Sequence, residues 1–338
     1  ASAETPAAPI ALPPAVALTG LRHEWQTWNN CGPATLAMNL SYYGSALDQA
    51  AIGGVLRRSP DDKNVSPEEL AAFAQGQGMR ATVRVNGSAE LLRALVAGGF
   101  PVLIETWLEE HPNDGMGHYR LITGYDDAAQ AWIAYDSFVG SGLVLGGGAR
   151  DGSGADEYRG IYFPYAQAAE WWKVFNRTFI VAYPPASEAT VQAIMGSEFD
   201  PATQWTAAEA TARADLAVNP DDPFAWFNLG SALWARGAAA EAVTAFDQAR
   251  AVGLPWRMLW YQFAPFAAYA AVGRYADVGT LADATLANTD SIEEVYYWKA
   301  RALSAQGDIA GARTALDRAL ALYPGYTDAV TLREAVGP

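Results

Sequence analysis

"QTWNNCGPATLAMNLSYYG", residues 26–44, contains the only cysteine among 338 residues. Pro33 suits the first turn of a helix, where a missing N–H costs nothing. Ala34, Leu36, Ala37, Met38 and Leu40 make the predicted helix mostly apolar and therefore buried, and Gly44 supplies its C-terminal stop. Cys31 then stands at the helix N-terminus. There the dipole and the unpaired N–H groups favour a thiolate and lower its pKa. A structural thiol gains nothing from that position, whereas a nucleophile does. A single cysteine also excludes an internal disulfide and a multi-thiolate zinc site. No cofactor and no metal are expected.

A nucleophilic thiol needs a base, and the chain offers three histidines: His23, His111 and His118. "GHYRLITGYDDAAQAWIAYDSF", residues 117–138, reads as two strands, 118–125 and 131–136, joined by the Asp-rich turn "DDAAQ". A hairpin centred near residue 127 or 128 sets His118 opposite or diagonal to Asp136, with both side chains on one face. Asp136 can then fix the imidazole, the base-plus-orienter arrangement of an activated thiol. Gln26, five residues before Cys31, can bring its amide to a developing oxyanion, with the Cys31 N–H as its partner. His23 is expected to cap or pack. His111 falls in the loop "EEHPNDG" and is expected to be exposed. "GGGARDGSG", residues 146–154, is too irregular for a phosphate loop and reads as a mobile rim. Trp107 is expected in the core or at the border of the cleft.

Gln26, Cys31-Gly32-Pro33-Ala34, the "YYG" that ends the helix, "GHY", "TGYDD" and Asp136 together resemble a papain-like cysteine peptidase of the bacteriocin-processing, double-glycine-leader family. The resemblance runs over about residues 21–185 and includes the closing "YAQAAEWWKVFNRTFIVAYPP". It implies an α+β papain-like fold, with Gln26 as oxyanion donor, Cys31 as nucleophile, His118 as base and Asp136 as orienter. Transporter-linked members carry Asp before the cysteine, where this chain has Asn30, and no transporter segments follow. The Cys-Gly-Pro form is similar to the stand-alone, exported branch. The implied activity is hydrolysis of peptide bonds through a thioester. The same features leave two other readings open. One is a silent peptidase-like module that works as a binding scaffold. The other is an acyl transferase or amidase on cell-wall peptides.

The last part of the chain is helical, rich in alanine and free of strand signals. "WFNLGSALWARGAAAEAVTAFDQARAVGLP" and "YYWKARALSAQGDIAGARTALDRALALYP" share the spacing of small and large residues that resembles the tetratricopeptide repeat. Gly237, Gly273 and Gly307 mark the turns of three units. The middle unit is degenerate, with Pro265 expected to interrupt its first helix, and residues 187–219 are expected to form a fourth, partial pair. The expected organisation is thus a flexible Ala/Pro-rich segment (1–20), a papain-like domain (21–186) and an all-α repeat array (187–338). The repeats would bind a protein partner or recruit the peptide or protein substrate.

Charge narrows the partners further. Lys+Arg 22 against Asp+Glu 37 gives a net charge of -15, which opposes nucleic acid and anionic membrane surfaces. No apolar run approaches the ~18–20 residues that span a bilayer. The opening "ASAETPAAPIALPPAVALTG" has no basic segment and resembles the start of a mature exported protein.

Overall fold

A computed structural model describes residues 12–59, 61–109, 114–138, 144–146 and 158–337. His111 and residues 147–154 of the expected rim lie outside them.

The predicted nucleophile helix forms as α1 (Cys31–Tyr42), buried along most of its length. It is followed by α2 (Gln49–Leu56) and α3 (Pro67–Gly76). A capping box of Ser66 and Glu69 starts α3, with Pro67 in its first turn. The rest of the first region is an antiparallel sheet with two further helices. Its strands are β1 (Ala15–Ala17), β2 (Arg80–Arg84), β3 (Val102–Leu108), β4 (Met116–Asp126), β5 (Ala131–Tyr135), β6 (Val144–Gly146), β7 (Tyr158–Pro164) and β8 (Phe179–Tyr183). They run in the order β2-β8-β3-β4-β5-β7-β6, with β1 added to β4. The helices α4 (Ala89–Ala97) and α5 (Tyr165–Lys173) complete the region. β3, β5 and β8 are buried at every residue, so none alternates apolar with polar; β5 and β8 are apolar throughout, and β3 is interrupted by Glu105 and Thr106.

The expected flexible segment 1–20 needs a correction at its end. Ala15–Ala17 pairs with Gly124–Asp126 of β4, and the Leu18 N–H donates to the Thr123 carbonyl at 2.8 Å. This strand matters for register. The β4–β5 hairpin closes with Asp126 opposite Ala131 and a turn over 127–130, so its centre falls between residues 128 and 129. Carried on unbroken, that register would put His118 and Asp136 on opposite faces. A bulge between Ile122 and Gly124 shifts the pairing to Ile122–Ala134 and Leu121–Tyr135. The one extra residue restores a common face. β1 crosses at this point: a side chain on Gly124 would put its first carbon 2.3 Å from the Val16 carbonyl oxygen.

The second region is helical: α7 (Pro201–Val218), α8 (Pro223–Ala235), α9 (Ala239–Ala251), α10 (Ala264–Ala271), α11 (Tyr275–Leu286), α12 (Glu293–Ala305), α13 (Ile309–Leu322) and α14 (Thr327–Ala335). Gly237, Gly273 and Gly307 sit in the turns of α8–α9, α10–α11 and α12–α13 with φ of 80°, 78° and 86°, conformations that favour glycine. Close approach has the cause read from sequence: at Gly230 a Cβ would meet the Phe246 ring at 2.6 Å. Pro265 does not interrupt a helix; it lies in the first turn of α10. Before it, where the units on either side have 13-residue first helices, the chain makes a 3-10 turn, Trp256–Trp260. The partial pair expected over 187–219 splits. α6 (Glu188–Met195) sends Val191 and Met195 into the core of the sheet region, while α7 adds Ala212 and Leu216 to that of the repeats.

Trp107, Val174 and Phe175 of the sheet region belong to the repeat core. Trp107 packs against Phe175 and Phe224, with ring centroids 6.1 and 5.7 Å apart. Around this shared core run ion pairs from Lys173 to Asp222 (2.8 Å) and from Arg177 to Asp215 (3.0 Å). The two regions are therefore expected to unfold in one cooperative transition. Trp107→Ala should cost about 3–5 kcal/mol and lower the midpoint of both, read by near-ultraviolet dichroism for the aromatic core and far-ultraviolet dichroism for the helices.

Candidate active site

Cys31 opens α1, and Asn30 before it is buried. The Asn30 amide donates to the Gln49 carbonyl at 3.2 Å and to its side-chain oxygen at 2.9 Å. A carboxylate could make neither bond, which gives a local reason for Asn at this position. His118 lies on β4, and its Nε2–H donates to Asp136 Oδ1 at 3.0 Å. That leaves Nδ1 for the thiol, with which the imidazole is hydrogen-bonded. Burial pushes the Cys31 thiol up. The His118 hydrogen bond and charge, with the backbone N–H groups of Tyr119 and Gly32, more than offset this and leave it below its ordinary value. Burial acts against a charged imidazole as well. The Asp136 carboxylate outweighs it through charge and hydrogen bond, and His118 is pushed up to about 9. The two shifts agree in direction: the lowered thiol and the raised imidazole both favour the thiolate–imidazolium form of the pair.

Gln26 reaches the same cleft as Cys31 and His118. Its backbone N–H donates to the Ser137 carbonyl at 2.8 Å, and its side-chain oxygen accepts from the Ser137 hydroxyl at 2.9 Å. With the carbonyl end so occupied, the NH₂ end is the one left to donate. The structure thus brings Gln26, Cys31, His118 and Asp136 together. His23 stays outside the cleft. It is buried, stacks on Tyr158 with centroids 3.6 Å apart and donates to the Asp136 backbone carbonyl at 2.8 Å. Burial holds it below the usual histidine range, as a neutral packing residue.

Three features were not read from the sequence. Arg120 is fully buried and pairs with Asp136 Oδ2 at 2.8 Å, while its guanidinium lies over the rings of Phe163 and Trp171 at 4.8 and 4.9 Å. Its signal was legible: an arginine two residues after His118 shares that face of an otherwise apolar strand. Glu105 of β3 is also buried, close to Cys31. The third feature is the repeat turn at 256–261. It puts Arg257, Trp260 and Tyr261 into the lining of the cleft, a cavity of about 460 Å³ that also holds Met116 and Phe138. Gly117, just before His118, makes room for it. A Cβ there would meet the Tyr261 ring at 3.1 Å and Phe175 at 3.2 Å. A larger cavity of about 580 Å³ between α4 and α5 contains none of the four predicted residues and offers no comparable chemistry.

Residues 18–142 match the family described as Peptidase_C39 like. Residues 293–334 match the tetratricopeptide repeat. The sheet region thus has a C39-like fold and is followed by repeat helices. Solved structures similar to the C39-like region include a C39-like peptidase from Bacillus anthracis, with 16% identity over 50% of this chain and 96% of that one and a TM-score of 0.36. Another is a double-glycine-motif protease from an AMS/PCAT transporter, determined with its leader peptide, with 18% identity over 50% and 98% and a TM-score of 0.31. The repeat region is similar to MamA from Desulfovibrio magneticus RS-1, with 16% identity over 45% and 80% and a TM-score of 0.36. No curated protein matches the chain.

The paired shifts set a pH dependence for thiol chemistry. Iodoacetamide should alkylate Cys31 below pH 7, with a midpoint under the free-thiol value of ~8.5. Reactivity should fall only where acid protonates the thiolate. His118→Ala should move the midpoint upward, because burial then acts on the thiol without its partner cation. Alkylation rates followed by intact mass between pH 4 and 10 check both. Asp136→Asn should destabilise the fold by about 3–5 kcal/mol, because it leaves Arg120 buried and unpaired. Arg120→Met, Asp136→Asn together should recover part of that loss in denaturant titrations.

Proposed function

We propose that the chain is a cysteine peptidase that cleaves peptide bonds through Cys31, His118, Asp136 and Gln26. The observation that carries this reading is the run from Cys31 through His118 to Asp136, with the thiol lowered and the imidazole raised.

In the proposed reaction the Cys31 thiolate attacks the scissile carbonyl carbon and charge moves to the carbonyl oxygen. Two donors can receive it: the Gln26 NH₂ and the Cys31 N–H, which as a first-turn group has no partner within the helix. The imidazolium of His118 gives its proton to the leaving amine as the C–N bond breaks, and a thioester remains on Cys31. His118, now neutral, takes a proton from water as that water attacks the thioester. The carboxylic product leaves and the thiolate–imidazolium pair is restored. Asp136 holds the ring through both steps, and Arg120 holds Asp136. The repeat helices would recruit the peptide or protein substrate, and the turn at 256–261 would meet it beside the thiol.

A peptide-library digest comparing wild type with Cys31→Ala tests this reading. Products should appear with wild type alone, and identical product sets would remove it. Gln26→Ala should lower kcat by ~100-fold or more, with little change in KM and with Cys31 still alkylating. Melting temperature measured alongside separates this from a packing role. A variant with lower Tm and unchanged kcat would take Gln26 out of the mechanism.

A further inference from the structure

Glu105 has no use in the mechanism above, and its situation is unusual. It is 5% exposed, no ion pair reaches it among the described residues, and its Oε2 is buried without a hydrogen-bond partner. Such an atom costs free energy unless something donates to it. Register explains its placement. Glu105 pairs with Tyr119, while Thr106 pairs with His118 and Ile104 with Arg120. Side chains alternate along both strands, so Glu105 and Tyr119 share the face opposite His118 and Arg120. Tyr119 packs at Gly32, which brings that face up to the start of α1. A small cavity of about 20 Å³ opens there, lined by Glu105, Tyr119, Cys31, Gly117, Lys63 and Tyr261. Cys31, Gly117, Lys63 and Tyr261 also line the main cleft, so the two spaces adjoin beside the thiol. Burial, with Glu68 and Cys31 nearby, pushes the Glu105 carboxyl well above the usual range.

We propose that this cavity is a specificity subsite, and that Glu105 on its lining selects peptides with a short hydroxyl side chain, of serine size, next to the scissile bond. Size and charge choose that class. A space of this volume holds about one water-sized group, too little for the stem and head of lysine or arginine. Lys63 on its lining repels a cation. Glycine and alanine leave the space empty and Oε2 unpaired. A serine hydroxyl fills it and donates to Oε2. The subsite exists only in the assembled chain, because Tyr261 comes from the repeat turn.

The proposal rests on the peptidase reading, but it can be tested without turnover. Tripeptidyl chloromethyl ketones alkylate a bound thiolate, and Cys31 is the only thiol. Reagents with Gly, Ala, Ser or Lys at the two positions before the ketone would be compared on the full chain by inactivation rate. The expected result for wild type is serine over alanine by about three- to tenfold at one of these positions, the worth of one hydrogen bond. Glu105→Leu should remove or invert that ratio. Glu105→Gln, which keeps an accepting oxygen and nearly the same shape, should retain most of it. A ratio unchanged by Glu105→Leu, or fastest labelling by the lysine or glycine reagent, would overturn the subsite. Serine-selective labelling without any peptide cleavage would support the subsite and end the peptidase reading. Cleavage without serine-over-alanine preference would end the subsite alone. Failure of every ketone on a chain that still reacts with iodoacetamide would end both.

Discussion

The Asp136 carboxylate is fully buried, and the arrangement of the sheet around it follows from that. A lone anion in such a place would be neutralised or would unfold the chain. Here Oδ1 accepts from His118 at 3.0 Å and from the Phe138 N–H at 2.8 Å, while Oδ2 faces Arg120 at 2.8 Å. Two cationic groups on β4 thus share one carboxylate just past the end of β5, each on its own oxygen. Burial opposes the Arg120 charge and the Asp136 carboxylate favours it, while the guanidinium lies over two aromatic faces. The outcome is a fixed imidazole with a raised proton affinity, set against a thiol at a helix N-terminus. Each member depends on the others: the thiol is lowered because the imidazole is raised, and the imidazole is raised because the carboxylate is held in its charged form.

That geometry needs a register the hairpin alone does not supply. The turn over 127–130 gives the wrong parity, and the bulge near Thr123 corrects it. β1 lies across that bulge and takes up backbone groups there, and Gly124 is the residue that permits the approach. His23 and Tyr158 then pack beneath the backbone of Asp136. The end of a segment rich in alanine and proline therefore has a structural task far from where composition alone would place one.

Much of the site was legible because it depends on local rules. Pro33 and the apolar run fixed where α1 begins, and hence where Cys31 sits. The even separation of His118 and Asp136 suggested a common face. The register that delivers this face combines a turn centre and a bulge, and the bulge lies where β1 pairs with β4, about a hundred residues away in sequence. No window of the hairpin contains it. Arg120 and Glu105 could have been found, since each is a charge in an apolar strand. What could not be found was their partners, because these are set by cross-strand pairing. The degenerate middle repeat shows in the sequence as a loss of pattern, but Pro265 breaks no helix and lies in the first turn of α10. Its true consequence, a first helix cut to 8 residues, appears only once the freed segment is followed into the cleft.

The repeat array gives up part of one unit, and the cleft gains a wall. Residues 256–261 would have continued the helical stack, yet they carry Arg257, Trp260 and Tyr261 to the nucleophile, and the shared core around Trp107 holds them there. A repeat domain joined by a free tether could raise local substrate concentration but could not shape a subsite, since shaping requires atoms fixed to well under an ångström or so. The alternation of β4 then divides the work around one sulfur atom. One face carries His118 and Arg120, whose charges govern the state of the thiol. The other carries Tyr119, packed beside Glu105 against α1, where only small groups fit. On the proposed reading, substitutions on the second face bear chiefly on which peptide is accepted and those on the first on the state of the thiol, a separation that follows from the two-residue period of the strand.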